Sequence, residues 1–251
     1  MKAELFSRMG ETRTVLARDH ALIAPDGHVT TVLPTWKGAS GVILISPAIG
    51  ARMAQTLVVA EPSAQAVTFT PALGIEAAFY VWEGELESAG EKLSAGSYVY
   101  LPPGDPIELT VQSSAKLVVF EKRYSPLPGV EAPNRVLGHA ANVEGKPFMG
   151  DPDAVLQVLF PEALEFDMAM NVFTYQPGAT LPFVETHIME HGLLMLDGMG
   201  IYRLSESWYP VAAGDCIWMA AYCPQWFAAT GKTPARYLYY KDINRDAMEM
   251  L

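Results

Sequence analysis

Cysteine is scarce in this chain of 251 residues, which contains only Cys216 and Cys223. Two cysteines cannot build the dense disulfide framework of small secreted proteins, so both are expected to be reduced core residues of a cytoplasmic protein. Cys223 is interpreted as a packing residue, and not as a ligand or nucleophile, because no basic residue stands near it in the sequence.

Basic residues are also few, since 17 Lys and Arg stand against 28 Asp and Glu, for a net charge of −11. Without a cluster of Lys and Arg the chain cannot neutralise a phosphate backbone, which excludes a nucleic-acid partner. Long apolar runs are missing as well, so neither a membrane span nor a targeting signal is expected. Half of the residues are hydrophobic, which predicts a soluble protein with a sizeable core.

Helical patterning is rare, and short β-like runs take its place. Nineteen Pro and twenty Gly separate brief stretches rich in Val, Ile, Phe and Tyr. This pattern predicts an all-β fold, a sandwich or a barrel. The predicted strands include residues 42–45, 57–59, 78–82, 116–120 and 236–240. One or two helical turns are expected at 151–159, and another in the first 20 residues.

Two glycine-centred blocks recur in the same order in both halves of the chain. A strand-turn-strand block surrounds Gly84 and Gly198, 114 residues apart, and a second block begins at Gly96 and Gly214, 118 residues apart. The shared order predicts two copies of one β domain, although glycine-bounded strands look alike in any β protein. The Pro-rich seam at 125–129 divides them into domains of residues 1–128 and 129–251.

The densest group of potential metal ligands lies in residues 184–191, which read VETHIMEH. With the two-residue period of a strand, Glu185 and His187 project from one face, and His191 shares their parity. Carboxylate and imidazole together suit Mn, Fe, Ni or Zn, and a set without thiolate disfavours softer metals. Burial of these residues in an apolar strand would be costly without a purpose, so a metal site is favoured.

Two other interpretations of the same segment stay open. His187 and His191 are four residues apart and would share a helical face, as in zinc proteases. However, Ile188 stands where those proteases have Glu, and Pro182 and Gly192 disfavour a helix. Alternatively, the pair are surface histidines beside surface glutamates, which is the commoner situation for isolated histidines.

The spacing Glu185-x-His187-x3-His191-x6-Gly198 resembles the first motif of cupin domains. Glu stands where the first His of that motif is usual, and His stands where the acid is usual. This part of the resemblance implies that all three polar side chains are metal ligands.

The second cupin motif, counted from Gly214, brings its last ligand position to Gln225, although Ala220 and Tyr222 replace the usual Pro and Gly. In the first half the glycine scaffold is kept, but the ligand positions are apolar. They hold Leu73, Ala77 and Ile107. The resemblance therefore implies two tandem cupin domains, each a double-stranded β-helix or jelly roll, of which only the second binds metal.

The whole chain resembles the (S)-ureidoglycine aminohydrolases, bicupin enzymes of purine and allantoin breakdown. The likeness begins at residue 21 and is strongest at 185–192, which reads ETHIMEHG, and at 239–246, which reads YYKDINRD. It implies a Mn²⁺-dependent hydrolysis, with other divalent ions as alternatives, that converts (S)-ureidoglycine to (S)-ureidoglycolate and ammonia. A homo-oligomer assembled through β surfaces is also implied.

The resemblance assigns roles to further side chains. Lys241 resembles a family lysine that contacts substrate, and it is expected to pair with the substrate carboxylate or to carry a proton. Tyr237 and Tyr202 are candidate substrate contacts, although most tyrosines in such strands fill the barrel. Glu185 and Gln225 are expected to touch the substrate as well, and Glu185 to accept a proton. Glu190, of opposite parity, is expected to face outward or to lie behind the ligands.

Two rival functions stay open. A bicupin Fe²⁺ dioxygenase would use a similar cavity, and oxygen uptake during turnover would distinguish it from an aminohydrolase. A non-catalytic cupin that binds or stores a small molecule would need no metal, so metal analysis of the purified protein would identify it.

Overall fold

Short β-strands make up almost all of the regular structure, which confirms the predicted all-β class. The computed structural model describes residues 12–245. Within them lie three short 3₁₀ turns, Pro25–Gly27, Pro47–Ile49 and Ala140–Asn142. No helix in this part of the chain is long and apolar enough to cross a membrane.

Thirteen of the strands in the described residues precede the Pro-rich seam. They are β1 (Val15–Leu16), β2 (His20–Ile23), β3 (Thr31–Val32), β4 (Trp36–Lys37), β5 (Ser40–Ile45), β6 (Met53–Ala60), β7 (Val67–Phe69), β8 (Ile75–Glu83), β9 (Glu85–Ser88), β10 (Glu91–Ser94), β11 (Ser97–Leu101), β12 (Ile107–Val111) and β13 (Ala115–Arg123).

Ten more described strands follow the seam. They are β14 (Val136–His139), β15 (Lys146–Phe148), β16 (Asp151–Val158), β17 (Met168–Tyr175), β18 (His191–Asp197), β19 (Met199–Leu204), β20 (Ser207–Ala212), β21 (Cys216–Met219), β22 (Gln225–Ala229) and β23 (Ala235–Asp242). The five predicted strand segments all lie inside elements of these two sets, namely β5, β6, β8, β13 and β23.

Each half of the chain supplies most strands of two antiparallel sheets, and the larger sheet of each half also includes one or two strands from the other half. The first half has a seven-stranded sheet in the order β14-β11-β8-β13-β6-β5-β3 and a five-stranded sheet in the order β10-β9-β12-β7-β4. The second half has an eight-stranded sheet, β1-β2-β21-β18-β23-β17-β16-β15, and a three-stranded sheet, β20-β19-β22. Separate buried clusters fill the two interiors, around Trp36 and Phe79 in the first half and around Tyr175 and Phe227 in the second.

A third cluster of buried hydrophobic residues lies between the halves. The central strands contribute side chains both to this cluster and to the interior of their own half. On β23, Tyr237 and Tyr239 belong to the interior of the second half, whereas Leu238 and Tyr240 belong to the cluster between the halves. Tyr240 stacks there on Phe120 of β13, with ring centroids 5.8 Å apart. Because side chains alternate along a strand, neighbouring residues of β23 reach two different environments.

The glycines that define the predicted repeat are required by the backbone at equivalent turns. Gly84 and Gly198 have φ of 86° and 75°, which disfavours any residue with a Cβ. An added Cβ would collide with the carbonyl oxygen of Ser114 in the first half and of Pro234 in the second. The same close approach in both halves supports the internal repeat.

Strands cross the predicted boundary at 128/129 in both directions. β2 pairs with β21 of the second half, with His20 opposite Met219. β14 pairs with β11 of the first half, with Gly138 opposite Tyr98. The division into residues 1–128 and 129–251 stays a prediction, and the exchanged strands join the two halves to each other.

The helical turns expected at 151–159 are wrong, because residues 151–158 form β16. Ala154 pairs with Tyr175 of β17, and Lys146 of β15 pairs with Leu156 on the other side. Pairing on both sides satisfies the backbone and overrides a weak local preference. The helical turn expected in the first 20 residues is absent from residues 12–20, which hold β1, and residues 1–11 lie outside the described part.

A buried charge cluster joins the two halves behind the central strands. The Lys122 ammonium lies 3.2 Å from a carboxylate oxygen of Glu76 and 2.6 Å from one of Asp167, which belongs to the second half. Tyr100 donates a hydrogen bond of 2.7 Å to the other Glu76 oxygen. Burial, together with the neighbouring Asp167, raises the pKa of Glu76 from an ordinary 4.5 to about 8, against the opposing effect of Lys122.

We expect this carboxyl group to make stability depend on pH. Below about pH 4.5 both the folded and the unfolded states carry the proton, and the contribution of Glu76 is fully present. Between about pH 4.5 and 8 only the folded state retains it, so the free energy of unfolding falls by up to about 1.4 kcal/mol per pH unit. Glu76→Gln, which cannot ionise, should lack this component.

Urea unfolding of wild type and Glu76→Gln across that pH range gives the free energy of unfolding of each protein. The change with pH in the difference between the two proteins is the contribution of Glu76. Other titrating groups are common to both proteins and cancel. Parallel stability curves for the two proteins would contradict the expectation.

Candidate active site

One cavity of about 150 Å³ in the second half brings all of the predicted site residues together. Its polar lining consists of Glu185, His187, His191, Tyr202, Gln225, Tyr237, Tyr239 and Lys241. Its other walls are Phe148, Leu156, Phe173, Met189 and Leu193. A space this small fits a compact ligand, and it combines a charged amine, a carboxylate and imidazoles with apolar walls.

Two neighbouring strands present the central polar groups side by side. His191 is the first residue of β18, and it lies directly opposite Lys241 near the end of β23. Gln225 opens β22 and exchanges two backbone hydrogen bonds with Glu185, of 2.8 and 2.9 Å. The sheet register therefore fixes which side chains meet.

The predicted strand through residues 184–191 is wrong. Residues 182–190 lie outside the named strands, and only Glu185 forms an isolated bridge, with Gln225. The segment bends instead, and the carbonyl oxygen of His187 accepts a 2.7 Å hydrogen bond from the Tyr222 backbone N–H. Its polar side chains nevertheless reach one cavity, although the parity argument assumed a regular strand.

The two histidines of the cavity are stacked, with ring centroids 4.8 Å apart, and His191 also stacks on Tyr239 at 5.4 Å. Burial lowers the pKa of His187 and sets that of His191 well below its ordinary value. Both imidazoles are therefore neutral at physiological pH, which is the form that binds metals. The helical zinc-protease interpretation and the surface-histidine interpretation do not describe this arrangement.

The hydrogen bonding of the buried polar atoms in the cavity indicates whether a metal ion fits there. His191 Nε2 and His187 Nδ1 are buried without a hydrogen-bond partner in the described structure, which is costly unless another group binds them. His187 Nε2 lies 3.0 Å from the amide nitrogen of Gln225, whose oxygen accepts a 3.2 Å hydrogen bond from Tyr202.

A half-turn of the Gln225 amide would exchange its oxygen and nitrogen without changing its shape, and Tyr202 could then accept instead of donate. One carboxylate, two neutral imidazoles and one amide oxygen would then face the cavity. This donor set suits a borderline divalent ion, so by their chemistry the residues present fit a metal such as Mn²⁺. The donor atoms of Glu185, His187 and His191 do not all lie within 4.8 Å of one another in the described structure, so the fit rests on the type of donor and on the unpartnered histidine nitrogens.

Charge inside the cavity is set by Glu185 and Lys241. Burial raises the pKa of Glu185, and the positive charge of Lys241 opposes that rise. Among residues 12–245, the Lys241 ammonium has no hydrogen-bond or ion-pair partner. A free cation in a protein of charge −11 favours an anionic ligand at this place.

The tyrosines of the cavity are buried neutral donors, because burial raises the pKa of Tyr202, Tyr237 and Tyr239. Tyr237 shares a 3.0 Å hydroxyl contact with Tyr175. Tyr239 was not predicted from the sequence, although it has the same strand parity as Tyr237 and Lys241. That parity is the signal that could have identified it.

A second polar cluster lies where the start of β2 approaches the segment that precedes β22. The ligand-type atoms of Asp19, His20 and Cys223 lie within 4.8 Å of one another, the only such group of three among the described residues. Both ring nitrogens of His20 are engaged, at 2.8 Å from Asp19 and 2.9 Å from Tyr209, and burial raises the pKa of the Cys223 thiol to about 11. The cluster thus has no free imidazole nitrogen and no thiolate.

The chain is similar to a known domain family and to two known enzymes. A cupin domain model matches residues 171–240. The (S)-ureidoglycine aminohydrolase of Arabidopsis thaliana is 42% identical over 95% of this chain and 80% of its own length. The enzyme of the same name from Escherichia coli is 35% identical over 90% of this chain and 89% of its own.

A solved structure shows the same architecture. The crystal structure of protein Ylba from E. coli aligns with a TM-score of 0.81 and 32% identity, and the alignment covers 96% of this chain and 98% of that one. Together with the cupin match, this confirms the predicted tandem jelly-roll fold class.

Proposed function

We propose that this chain, which belongs to the (S)-ureidoglycine aminohydrolase family of cupin proteins, hydrolyses (S)-ureidoglycine to (S)-ureidoglycolate and ammonia. In this reaction the bond between the central carbon and its amine breaks, and a bond from that carbon to the oxygen of water forms. The observation that carries the proposal is the convergence of Glu185, His187, His191, Gln225 and Lys241 on one small cavity.

Four of these side chains would hold a divalent ion, for which we propose Mn²⁺. They are Glu185, His187, His191 and Gln225. When bound, such an ion supplies Lewis-acid stabilisation of negative charge that develops on oxygen. The unpartnered histidine nitrogens and the neutral state of both rings support this assignment.

Lys241 would bind the substrate carboxylate. Its ammonium is free of protein partners in the described residues, and its strand position places it directly opposite His191. A carboxylate held there would leave the aminated carbon near the ligand side chains, which is the orientation that hydrolysis requires. Together with contacts to the amine and ureido groups, this contact would select one stereoisomer, because the three groups occupy different directions around the central carbon.

Proton transfer would involve Glu185 and water. Burial raises the pKa of this carboxyl group, which makes it a better proton acceptor for an attacking water. The departing amine takes up a proton as it leaves. Tyr202 and Tyr237 would donate hydrogen bonds to the ureido group, since both remain protonated.

Ammonia release from freshly generated ureidoglycine tests the proposed function. With Mn²⁺ present, the protein is expected to release ammonia well above the spontaneous decay of this substrate, which is measured in parallel without protein. Release at the rate of decay alone would contradict the proposal. Oxygen uptake would instead identify a dioxygenase, and substrate binding without turnover would identify a binding or storage cupin.

A further inference from the structure

Arg52 of the first half makes its polar contacts with the second half. It lies between the 3₁₀ turn Pro47–Ile49 and strand β6. Its backbone N–H donates to both carboxylate oxygens of Glu190, at 2.9 and 3.1 Å. Its guanidinium donates a 2.9 Å hydrogen bond to Asp242 and lies 3.8 Å from Glu190.

The two carboxylates that Arg52 joins are the sequence neighbours of cavity residues. Glu190 precedes His191, and Asp242 follows Lys241. Glu190 and Asp242 are only 2% and 8% exposed. Neither carboxylate lines the cavity, and both contact Arg52 of the first half instead. For Asp242 this follows from its place next to Lys241 on β23, because side chains alternate along a strand.

The contact of Arg52 with Glu190 and Asp242 lies at the ends of strands β18 and β23, beyond which the sheet no longer fixes the backbone. His191 begins β18 and Asp242 ends β23, so ladder hydrogen bonds continue in one direction only. Asp242 accepts a short hydrogen bond from the Glu190 backbone N–H, and Trp218 donates one of 2.8 Å to Glu190. Two buried carboxylates would repel each other here without a cation between them.

We propose that Arg52 is a positioning residue for the cavity, and that through Glu190 and Asp242 it holds His191 and Lys241 in alignment. The first half, whose ligand positions are occupied by Leu73, Ala77 and Ile107, thus contributes to the site in the second half without touching a ligand. Groups that orient metal ligands from behind affect metal affinity or activity by about 10-fold to 100-fold.

Arg52→Met removes the guanidinium contacts with Asp242 and Glu190 but leaves the backbone N–H contact with Glu190, so it tests the part of this role that the side chain carries. Arg13→Met is its matched control. Arg13 also belongs to the first half and pairs with a buried carboxylate of the second, since its guanidinium lies 2.6 and 3.1 Å from the two oxygens of Asp215. Both arginine side chains are partly exposed, 38% for Arg52 and 48% for Arg13. Arg13 does not line the cavity.

We expect Arg52→Met to lower Mn²⁺ affinity and kcat on ureidoglycine by about 10-fold to 100-fold, while Arg13→Met changes either by less than about twofold. Arg52→Lys keeps the charge but not the fork of donors, so it should restore part of the loss. Equal losses in Arg52→Met and Arg13→Met, at equal free energy of unfolding, would overturn the proposal. Wild-type values in folded Arg52→Met would overturn it as well.

The activity readout rests on the proposed function, whereas the Mn²⁺ titration needs no substrate. If wild type releases no ammonia, the proposed function fails, and the titration still compares the variants. If Arg52→Met does not fold, Asp242→Asn and Arg52→Lys carry the same comparison. Unchanged Mn²⁺ affinity and kcat in both of them would then overturn the positioning role.

Discussion

Replacing His191 with alanine is expected to remove the bound divalent ion and to lower ammonia release by about a thousandfold or more. Lewis-acid stabilisation of developing charge is worth several kcal/mol, and each 1.36 kcal/mol corresponds to a factor of ten in rate. His191 is 7% exposed, neutral, and has an Nε2 atom without a partner in the described residues. Metal content by elemental analysis and the rate of ammonia release measure the two losses.

The free energy of unfolding distinguishes loss of a metal-binding side chain from general destabilisation of the fold. A ligand that binds only the folded state raises the free energy of unfolding as its concentration rises. Added Mn²⁺ should therefore stabilise wild type and not His191→Ala. Without metal the two proteins should differ less, because the variant removes a buried nitrogen that has no hydrogen bond to lose.

The same substitution at His28, which lies outside the cavity, is the control and should leave metal content unchanged. Glu185→Ala, His187→Ala and Gln225→Ala should each lower the metal content as well. Wild-type metal stoichiometry in these variants would refute the assignment of the four ligands.

The spacing of the polar residues predicted which side chains share the cavity better than it predicted the local structure. Glu185, His187 and His191 reach one cavity, yet residues 182–190 form an irregular segment and not a strand. Motif spacing preserves the order of the candidate ligands along the chain. It does not specify the backbone path, which here depends on a hydrogen bond from the distant Tyr222.

No pattern in the sequence predicted the contacts between the two halves. Arg52 meets Glu190 and Asp242 across separations of 138 and 190 residues, and no local pattern marks such pairs. Glu76 and Lys122 are charged residues in strands, and they are buried together with their ion-pair partner Asp167, which comes from the second half. β16 was mistaken for helical turns because its pairing with β17 outweighs its own preferences.

Lys241→Met is expected to keep the metal and to lose most of its turnover, by about 100-fold or more. A charged hydrogen bond to a carboxylate in a confined site contributes about 1.5 to 3 kcal/mol, and misplacement of the substrate adds to the loss. Lys116→Met is the matched control, because Lys116 on β13 pairs at 2.8 Å with Glu83, and both residues belong to the first half and do not line the cavity. Steady-state kinetics and metal analysis on both variants measure the difference.

The metal content of Lys241→Met is expected to depend on pH, and the loss of the positive charge of Lys241 determines the direction of this dependence. Lys241 lowers the pKa of Glu185, His187 and His191. Without it all three groups hold their protons to higher pH, and protonated groups do not bind metal. Metal content should therefore match wild type above neutral pH and fall at a higher pH than it does in wild type.

Lys241→Arg distinguishes the two roles predicted for Lys241. Arginine keeps the positive charge but is not deprotonated in proteins. If Lys241 only binds the carboxylate, the arginine variant should recover most of the kcat/KM lost in Lys241→Met. If Lys241 carries a proton in the reaction, KM should recover while kcat stays low. Turnover of Lys241→Met equal to that of wild type would remove this residue from the mechanism, because substrate would then reach the proposed metal ligands without the charge of Lys241.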